Sequence, residues 1–291
     1  MMNKYEQTMT ARYGERYTRY RAAFTSDQMD NDLEFPLQID LDLIDICNLK
    51  CPACHSIGRK RNSRPMDRDV LRQIIQECDQ HGLPAINIGG CGEPLLNMEL
   101  TQATLNGLKN TSVMDVFLHT NGLLLNQDTA RDLISAGVTY LCVSIDAVSQ
   151  EVYQQMRGAK LSRVVNNIET FLSLREGSLP ALRVSFLATT LNNHEKDRFI
   201  EFWRDKADIV DLQNYYRSYS IQPDIALTEQ ITERQPVYHR REKRISIVAP
   251  DYLCLTCGGL DVEEAITRGD TLKKFKTIKN YWDSLYRAAD M

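Results

Sequence analysis

The sequence predicts an α/β fold, in which a partial (βα)6, TIM-like barrel is followed by a small C-terminal α+β extension. Apolar runs and helical patterns alternate strictly between residues 36 and 215, which is typical of parallel strands joined by right-handed crossovers. After residue 215 the alternation fades, and residues 216–291 are predicted to form the extension. The apolar runs lie at 37–46, 84–89, 113–119, 139–145, 182–189 and 208–213, with helical patterns at 67–81, 98–109, 127–136, 162–175 and 195–205.

The composition is that of an ordinary globular protein. Of the 291 residues, 43% are apolar and 25% are charged, which is enough for one large core or two smaller ones. The net charge of −4 gives no general reason to expect binding to nucleic acid or to an anionic membrane. The chain has no long apolar run and no apolar signal-peptide region, so we expect a cytoplasmic protein with no membrane partner.

The first 35 residues are predicted to form an N-terminal helical segment. Aromatic and methionine side chains recur there every three or four positions, which indicates one amphipathic helix over residues 3–24. Such a helix is expected to close one end of the core. The residues of this stripe are Tyr5, Met9, Tyr13, Tyr17, Tyr20 and Phe24.

Three thiols, Cys47, Cys51 and Cys54, lie within eight residues directly after the first apolar run. Thiolates at these spacings can bind one corner each of a cuboidal [4Fe-4S] cluster, and the lack of a fourth local cysteine leaves one iron open to a small molecule. A zinc site is the alternative. Zinc knuckles favour paired C-x-x-C motifs or Cys with His at defined offsets, and the nearest further donor, His55, is adjacent to Cys54 and poorly placed to share its metal.

Further polar segments follow the next three predicted strands. Glycine-rich Gly89–Pro94 follows the second strand, His119–Gly122 ends the third, and Val143–Ala147 ends the fourth. In barrels of this type the chemistry lies in the loops after the carboxyl ends of the strands. We therefore expect these segments to lie beside the cysteine loop. The glycines would let the backbone approach a ligand closely.

The Cys-x3-Cys-x2-Cys spacing, together with the Gly-Gly-x-Gly-Glu segment, resembles the radical S-adenosylmethionine (SAM) enzymes over about residues 36–215. The resemblance implies a [4Fe-4S] cluster on the three cysteines, SAM chelated to the open iron, and an electron donor such as flavodoxin or ferredoxin. Ala53 stands where the family often has an aromatic or bulky residue, so this position offers no large side chain on which adenine could stack.

The resemblance also implies a SAM-binding set. Glu93 would accept from the SAM amino group, Ser144 and Asp146 would bond ribose hydroxyls, and Arg157 would bind the methionine carboxylate through two donors. A helix cap for Asp146 and a surface ion pair for Arg157 are the structural alternatives. The complete predicted set is Gly90, Gly92, Glu93, Asn121, Ser144, Asp146 and Arg157.

The C-terminal extension resembles the SPASM or twitch extension of radical SAM enzymes. It has a predicted strand at 245–248, a Cys254-x2-Cys257 turn and a final helix at 272–287. Such extensions normally hold auxiliary iron–sulfur clusters, which need about four protein ligands each. Only Cys254 and Cys257 lie in this region, and His239 is the candidate substitute, so we expect a degenerate extension without a cluster. Cys78 and Cys142 are predicted to be core thiols.

Without an auxiliary electron acceptor, a redox-neutral epimerisation or isomerisation of a polar substrate, sugar-like or peptidic, is favoured. In an epimerisation the adenosyl radical removes a hydrogen atom from one face of a carbon, and a thiol returns one from the other. Cys254 and Cys257 are the predicted catalytic donors, with Cys91 as a further candidate. A dehydrogenase or peptide maturase with an auxiliary cluster is the alternative, and a non-catalytic metal-binding scaffold is a second.

Two basic clusters favour an anionic substrate, if both face the cavity. Solvated surface is the ordinary interpretation of such charge runs. The first cluster is Arg59, Lys60, Arg61 and Arg64, and the second is Arg240, Arg241, Lys243 and Arg244.

Overall fold

The computed structural model describes residues 2–26, 35–54, 56, 64–215 and 224–227, together with the backbone of three short C-terminal strands. It confirms the α/β fold. The strands are β1 (Gln38–Asp42), β2 (Ala85–Ile88), β3 (Asp115–Thr120), β4 (Tyr140–Ser144), β5 (Ala181–Ala188), β6 (Ile209–Asn214), β7 (Arg244–Val248), β8 (Tyr252–Cys254) and β9 (Glu264–Ala265). The helices are α1 (Lys4–Tyr13), α2 (Glu15–Thr25), α3 (Arg68–Gln80), α4 (Met98–Leu108), α5 (Gln127–Ser135), α6 (Gln150–Arg157), α7 (Leu161–Leu174) and α8 (Lys196–Trp203).

The first six strands form a parallel sheet in the order β6-β5-β4-β3-β2-β1. Each strand pairs with its sequence neighbour, so every crossover turns in the same direction, as in a barrel rather than a doubly wound sheet. On its other side β1 pairs with β7 and not with β6. The six strands therefore form a partial barrel.

Alternation along the strands separates the two faces of the sheet. Ile39 and Leu41 of β1 are fully buried in one apolar cluster with residues of α3 such as Ile74. Asp40 alternates with them and accepts hydrogen bonds from Gln38 on the same strand and from Asn87 on β2. The barrel thus presents its apolar face to the helices and a polar face to its interior.

Two helices cover the amino ends of the strands, where the sequence predicted one. Gly14 separates α1 from α2 with a φ of +61°, a left-handed value that favours glycine and breaks the helix. The predicted stripe still faces inward, because Tyr5, Met9, Tyr17 and Tyr20 form a second buried cluster. That cluster includes the strand-end residues Ala85, Met114, Tyr140 and Ala181.

A hydrogen-bonded group lies within this second cluster. The Tyr5 hydroxyl donates to Asp115 Oδ1 at 2.6 Å and lies 3.1 Å from Thr139 Oγ1. Thr139 in turn accepts from the Val116 amide at 2.9 Å. These bonds fix α1 to the amino ends of β3 and β4.

The extension continues the barrel sheet. Strand β7 runs parallel to β1 with Gln38 opposite Arg244 and Asp42 opposite Val248, and β8 and β9 then add antiparallel strands. The predicted strand at 245–248 is therefore present. Cys257, His239, the predicted helix at 272–287 and the basic residues 59–61, 240, 241 and 243 lie outside the described residues. None of the helices in the described part of the chain is both long and apolar enough to cross a bilayer.

Candidate active site

The cysteine loop follows β1 at the carboxyl end of the barrel, with Cys47, Cys51 and Cys54 all half-buried. A turn closes it, since the Cys54 amide donates to the Cys51 carbonyl at 3.1 Å. Backbone amides also approach two of the sulfurs. The Leu49 amide lies 3.4 Å from Cys47 Sγ, and the Ser56 amide lies 3.4 Å from Cys54 Sγ. Amides directed at sulfur stabilise thiolates, the form that binds metal.

The three cysteines of the loop are not gathered around a single metal position. Among the described residues, no three His, Cys, Asp or Glu side chains converge closely enough to hold one metal ion. A zinc site with bonds of about 2.3 Å to each sulfur would bring its sulfurs to within about 4 Å of one another. Thiolates on three different corners of a cubane lie farther apart. The donors present, three thiolates in one short loop, are those expected for three corners of a [4Fe-4S] cluster.

The glycine loop after β2 packs directly on the chain that leads into the cysteine loop. A Cβ atom on Gly92 would lie 2.1 Å from the Ile44 carbonyl oxygen and 2.8 Å from that of Ile46, so only glycine fits there. The Glu93 amide donates to the same Ile46 carbonyl at 2.8 Å, and the Cys91 amide donates to Asp42 Oδ1 at 2.8 Å. The two loops are consequently locked together.

The buried carboxylate of Glu93 joins the glycine loop to the end of β3 by hydrogen bonds. Its Oε1 accepts from Leu95 N at 3.1 Å and Thr120 Oγ1 at 2.7 Å, and its Oε2 accepts from Asn121 N at 2.7 Å. Burial raises the pKa of Glu93, and these bonds oppose the rise. A carboxylate has about four acceptor sites, so the predicted contact with the SAM amino group remains compatible with this set.

Asn121 reaches the cysteine loop. Its Nδ2 donates to Asn48 Oδ1 at 2.7 Å and lies 3.8 Å from Cys47 Sγ. The sequence indicated Asn121 as a SAM contact, whereas its contacts here are to the cysteine loop. Asn48 was not singled out. Its only sequence signal is its position between two of the predicted ligands.

Asp146 and Arg157 form a buried ion pair beside Cys51. Their side chains are 3% and 15% exposed, so the alternative of a surface pair is wrong. Asp146 has a φ of +66°, rare for a residue with a Cβ, and its Oδ1 accepts from the Leu187 amide at 2.7 Å. Arg157 Nη1 lies 3.7 Å from Cys51 Sγ. Burial raises the pKa of Cys51, and the Arg157 guanidinium opposes that rise.

The remaining predicted SAM contacts and thiols are more dispersed. Ser144 lies at the end of β4 with its hydroxyl 3.4 Å from Ser185 Oγ, and Gly90 is exposed at the tip of the glycine loop. Cys254 ends β8, where only its backbone is described, opposite Ser246. Cys91 is 3% exposed. Cys78 and Cys142 are fully buried, which confirms that they are core thiols.

One further buried polar side chain lies on the same face of α6 as Arg157, and the sequence predicts no role for it. Tyr153 is fully buried on α6, one helical turn before Arg157. Burial raises the pKa of Tyr153 to about 12; Arg157 opposes this rise, while Cys51 and Asp146 add to it. The i, i+4 spacing of Tyr153 and Arg157 was the available signal.

Comparisons with known proteins agree with this geometry. The Radical SAM superfamily model matches residues 41–202. A probable GTP 3',8-cyclase of Methanococcus vannielii is 32% identical over 167 residues, covering 57% of this chain and 54% of that protein. The corresponding protein of Methanocaldococcus jannaschii is 32% identical over 189 residues, covering 61% of each chain. This chain thus aligns with little more than half the length of these relatives.

A solved structure shares the fold. Streptococcus suis SuiB bound to the precursor peptide SuiA superimposes with a TM-score of 0.69 at 15% identity, covering 95% of this chain and 70% of that one. The family model spans more than half of the present chain and includes the three cysteines, the glycine loop and the Asp146–Arg157 pair. The chain therefore belongs to the radical SAM superfamily, whose members use a [4Fe-4S] cluster and SAM as cofactors.

Proposed function

We propose that this radical SAM enzyme carries out a redox-neutral rearrangement, an epimerisation or another isomerisation, of a polar and anionic substrate. The convergence of the cysteine loop, the glycine loop and the Asp146–Arg157 pair at one end of the barrel supports the chemistry. When bound, the cluster and SAM supply a one-electron reduction and a carbon-centred radical that removes a hydrogen atom from substrate. The chain supplies binding, orientation and exclusion of water.

The buried donors around the cysteine loop suit a bound carboxylate. Arg157 Nε is buried and has no hydrogen-bond partner among the described residues, while Nη2 is held by Asp146. A buried unpaired N–H is costly unless a ligand satisfies it. We therefore assign this N–H to the SAM carboxylate, as a single donor rather than the two that the sequence led us to expect, because Nη1 approaches Cys51 and Nη2 pairs with Asp146.

The redox-neutral outcome is supported by the cysteine count of the extension. Residues 216–291 contain Cys254 and Cys257 and no other cysteine, fewer than the ligands of an auxiliary cluster. We propose that these two thiols are hydrogen donors to the substrate rather than cluster ligands, and that one electron from the external reductant and one solvent proton return the resulting thiyl radical to the thiol. In the sheet, Ser246 of β7 lies between Asp40 of β1 and Cys254 of β8. One strand therefore separates Cys254 from the strand that leads into the cysteine loop.

Product mass and solvent isotope uptake test this proposal. The anaerobically reconstituted enzyme would be incubated with SAM and dithionite, or with flavodoxin or ferredoxin as reductant, and with cell extract in D2O. We expect a product isomeric with its substrate that carries one solvent deuterium. Uptake should be lost in Cys254→Ala or Cys257→Ala and retained in the buried control Cys142→Ala. A product lighter by two hydrogens, or about eight irons per chain, would instead support the dehydrogenase or peptide maturase.

A second candidate is the intramolecular cyclisation of a purine nucleoside triphosphate. The two archaeal relatives named probable GTP 3',8-cyclase favour it, and such a ring closure is also redox-neutral on an anionic substrate. Incubation with GTP distinguishes it. A product of unchanged mass and altered retention would support cyclisation, whereas unchanged GTP beside SAM cleavage would favour another substrate. A peptide remains the alternative substrate class, since the fold neighbour SuiB binds one.

A further inference from the structure

Helix α6 brings one donor, Arg157, to hydrogen-bond distance of Cys51 and carries a second polar side chain, Tyr153, on the same face. Arg157 Nη1 lies 3.7 Å from Cys51 Sγ, and Tyr153 occupies the same helix face one turn earlier. Tyr153 interacts electrostatically with Cys51, Arg157 and Asp146. Cys47 is approached by uncharged donors, the Asn121 side chain and the Leu49 amide, whereas the donor that approaches Cys51 carries a positive charge.

Both α6 side chains carry unsatisfied polar atoms. Within the described ranges, the Tyr153 hydroxyl and Arg157 Nε are buried without hydrogen-bond partners, and Tyr153 is 0% exposed. Leaving such groups unpaired is costly. An unpaired hydroxyl that is buried on the helix face of Arg157 is therefore expected to serve a group bound at this end of the barrel.

Asp146 fixes the orientation of Arg157. Its carboxylate is held on one side by the Leu187 amide, and it pairs with Arg157 Nη2 on the other, which leaves Nη1 directed at the sulfur. The left-handed φ of Asp146 is a strained conformation that the surrounding contacts maintain.

We propose that Arg157 and, once the cluster is bound, the unpaired Tyr153 hydroxyl act as a donor pair for Cys51 and raise the reduction potential of the cluster that Cys51 binds, with Asp146 as a positioning residue. One-electron reduction, by a low-potential donor in the cell or by dithionite in vitro, adds a negative charge that the cluster shares with its thiolates. Hydrogen bonds to those sulfurs stabilise the reduced state. This inference rests on cluster binding, not on the substrate or the reaction proposed above.

The test is a redox titration of the reconstituted protein, followed by electron paramagnetic resonance in the absence of SAM and substrate. Arg157→Gln should change the oxidised-to-reduced ratio at a fixed potential by about tenfold, a fall of about 59 mV for a one-electron couple. Tyr153→Phe should give a smaller fall in the same direction. Arg157→Lys, which keeps the charge, should lie between Arg157→Gln and wild type. The exposed Gln155→Ala on the same helix is the matched control.

A double-mutant cycle tests the positioning role. In an Asp146→Asn background, Arg157→Gln should lower the reduction potential less than it does in wild type. A guanidinium that Asp146 no longer orients already stabilises the reduced cluster less. Full additivity would overturn the role of Asp146. Potentials that equal the control in Tyr153→Phe, Arg157→Lys and Arg157→Gln, at unchanged iron content, would overturn the donor pair. If Arg157→Gln fails to bind iron, the reduction potentials of Tyr153→Phe and Arg157→Lys decide whether the donor pair acts on the cluster.

Discussion

The two ends of the barrel bury carboxylates for opposite purposes. At the carboxyl end, Glu93 and Asp146 orient Asn121 and Arg157, whose donors approach the sulfurs of the cysteine loop. At the amino end, Asp115 accepts from Tyr5 and fastens a helix over the strand ends. The comparison teaches that burial of an acid alone does not indicate function; the partner it orients does. Substitutions at the two ends should therefore separate function from stability.

The largest expected effect is that of Cys51→Ala. Loss of one of three cluster ligands should abolish iron binding and SAM cleavage, with little change in the thermal unfolding of the apo-protein because Cys51 lies in a half-buried loop. Iron analysis and release of the SAM cleavage product are the measurements. Cys78→Ala is the matched control, expected to lower stability through a core cavity while the cluster remains. SAM cleavage that persists in Cys51→Ala would refute the site, and its absence in wild type would favour the non-catalytic scaffold.

Gly92→Ala should remove most of the bound iron. Its Cβ would approach the Ile44 carbonyl oxygen to 2.1 Å, so the glycine loop and the cysteine loop must move apart. Iron content per chain measures the effect. Gly107→Ala is the control, because its Cβ would meet only the flexible end of Ile75, at 2.8 Å, on an exposed part of α4. Equal iron in the two variants would show that the contact between the loops is dispensable.

Asp115 should make stability depend on pH at the amino end. Burial raises the pKa of Asp115 from 3.8 to about 6, so the folded state binds this proton more tightly than the unfolded state does. Stability from this group is present below about pH 4 and is lost as the pH rises through about 6, by about 3 kcal/mol in total.

Asp115→Asn should therefore flatten this dependence and stabilise the protein at neutral pH. Denaturant unfolding at pH 5 and pH 7.5 checks it, with Asp128→Asn, whose side chain is 91% exposed, as the control. A variant that is less stable than wild type at pH 7.5 would contradict the expectation.

Tyr5→Phe is expected to have the smallest effect. It removes the hydroxyl that bonds Asp115 and contacts Thr139, at a cost of about 1–2 kcal/mol. Denaturant midpoints measure the loss. Iron content and SAM cleavage should match those of wild type, because α1 lies at the opposite end of the barrel. An effect on cluster binding with unchanged stability would show that the two ends are coupled.

Much of the barrel was predictable because its signals are local. The six parallel strands and the helical patterns between them lie within a few residues of their predicted positions. Two details were missed for local reasons. The aromatic stripe continues across Gly14, so periodicity hid the break between α1 and α2. The sequence also indicated a helix start at Tyr153–Gly158, whereas α6 begins at Gln150 and ends there, capped by Gly158, whose φ is +70°.

The sequence indicated which residues form the site, but it did not indicate which of them contact one another. Motif spacing indicated the cysteines, the glycine loop and Asp146, which follow strand ends, and Arg157, which ends the helix after β4. That Asn121 contacts Asn48, or that Arg157 contacts Cys51, depends on tertiary distances across 73 and 106 residues. Pairing of β7 with β1 is likewise non-local, and no pattern within either strand specifies it.

That pairing has a consequence for dissecting the molecule. Because β7 covers the free side of β1, a fragment cut after residue 215 would bare the backbone donors and acceptors of the strand that leads into the cysteine loop. Uncovered edges of this kind recruit other strands and promote aggregation. The segment after residue 215, about a quarter of the polypeptide, therefore protects the edge of β1, and the barrel is best studied with this segment attached.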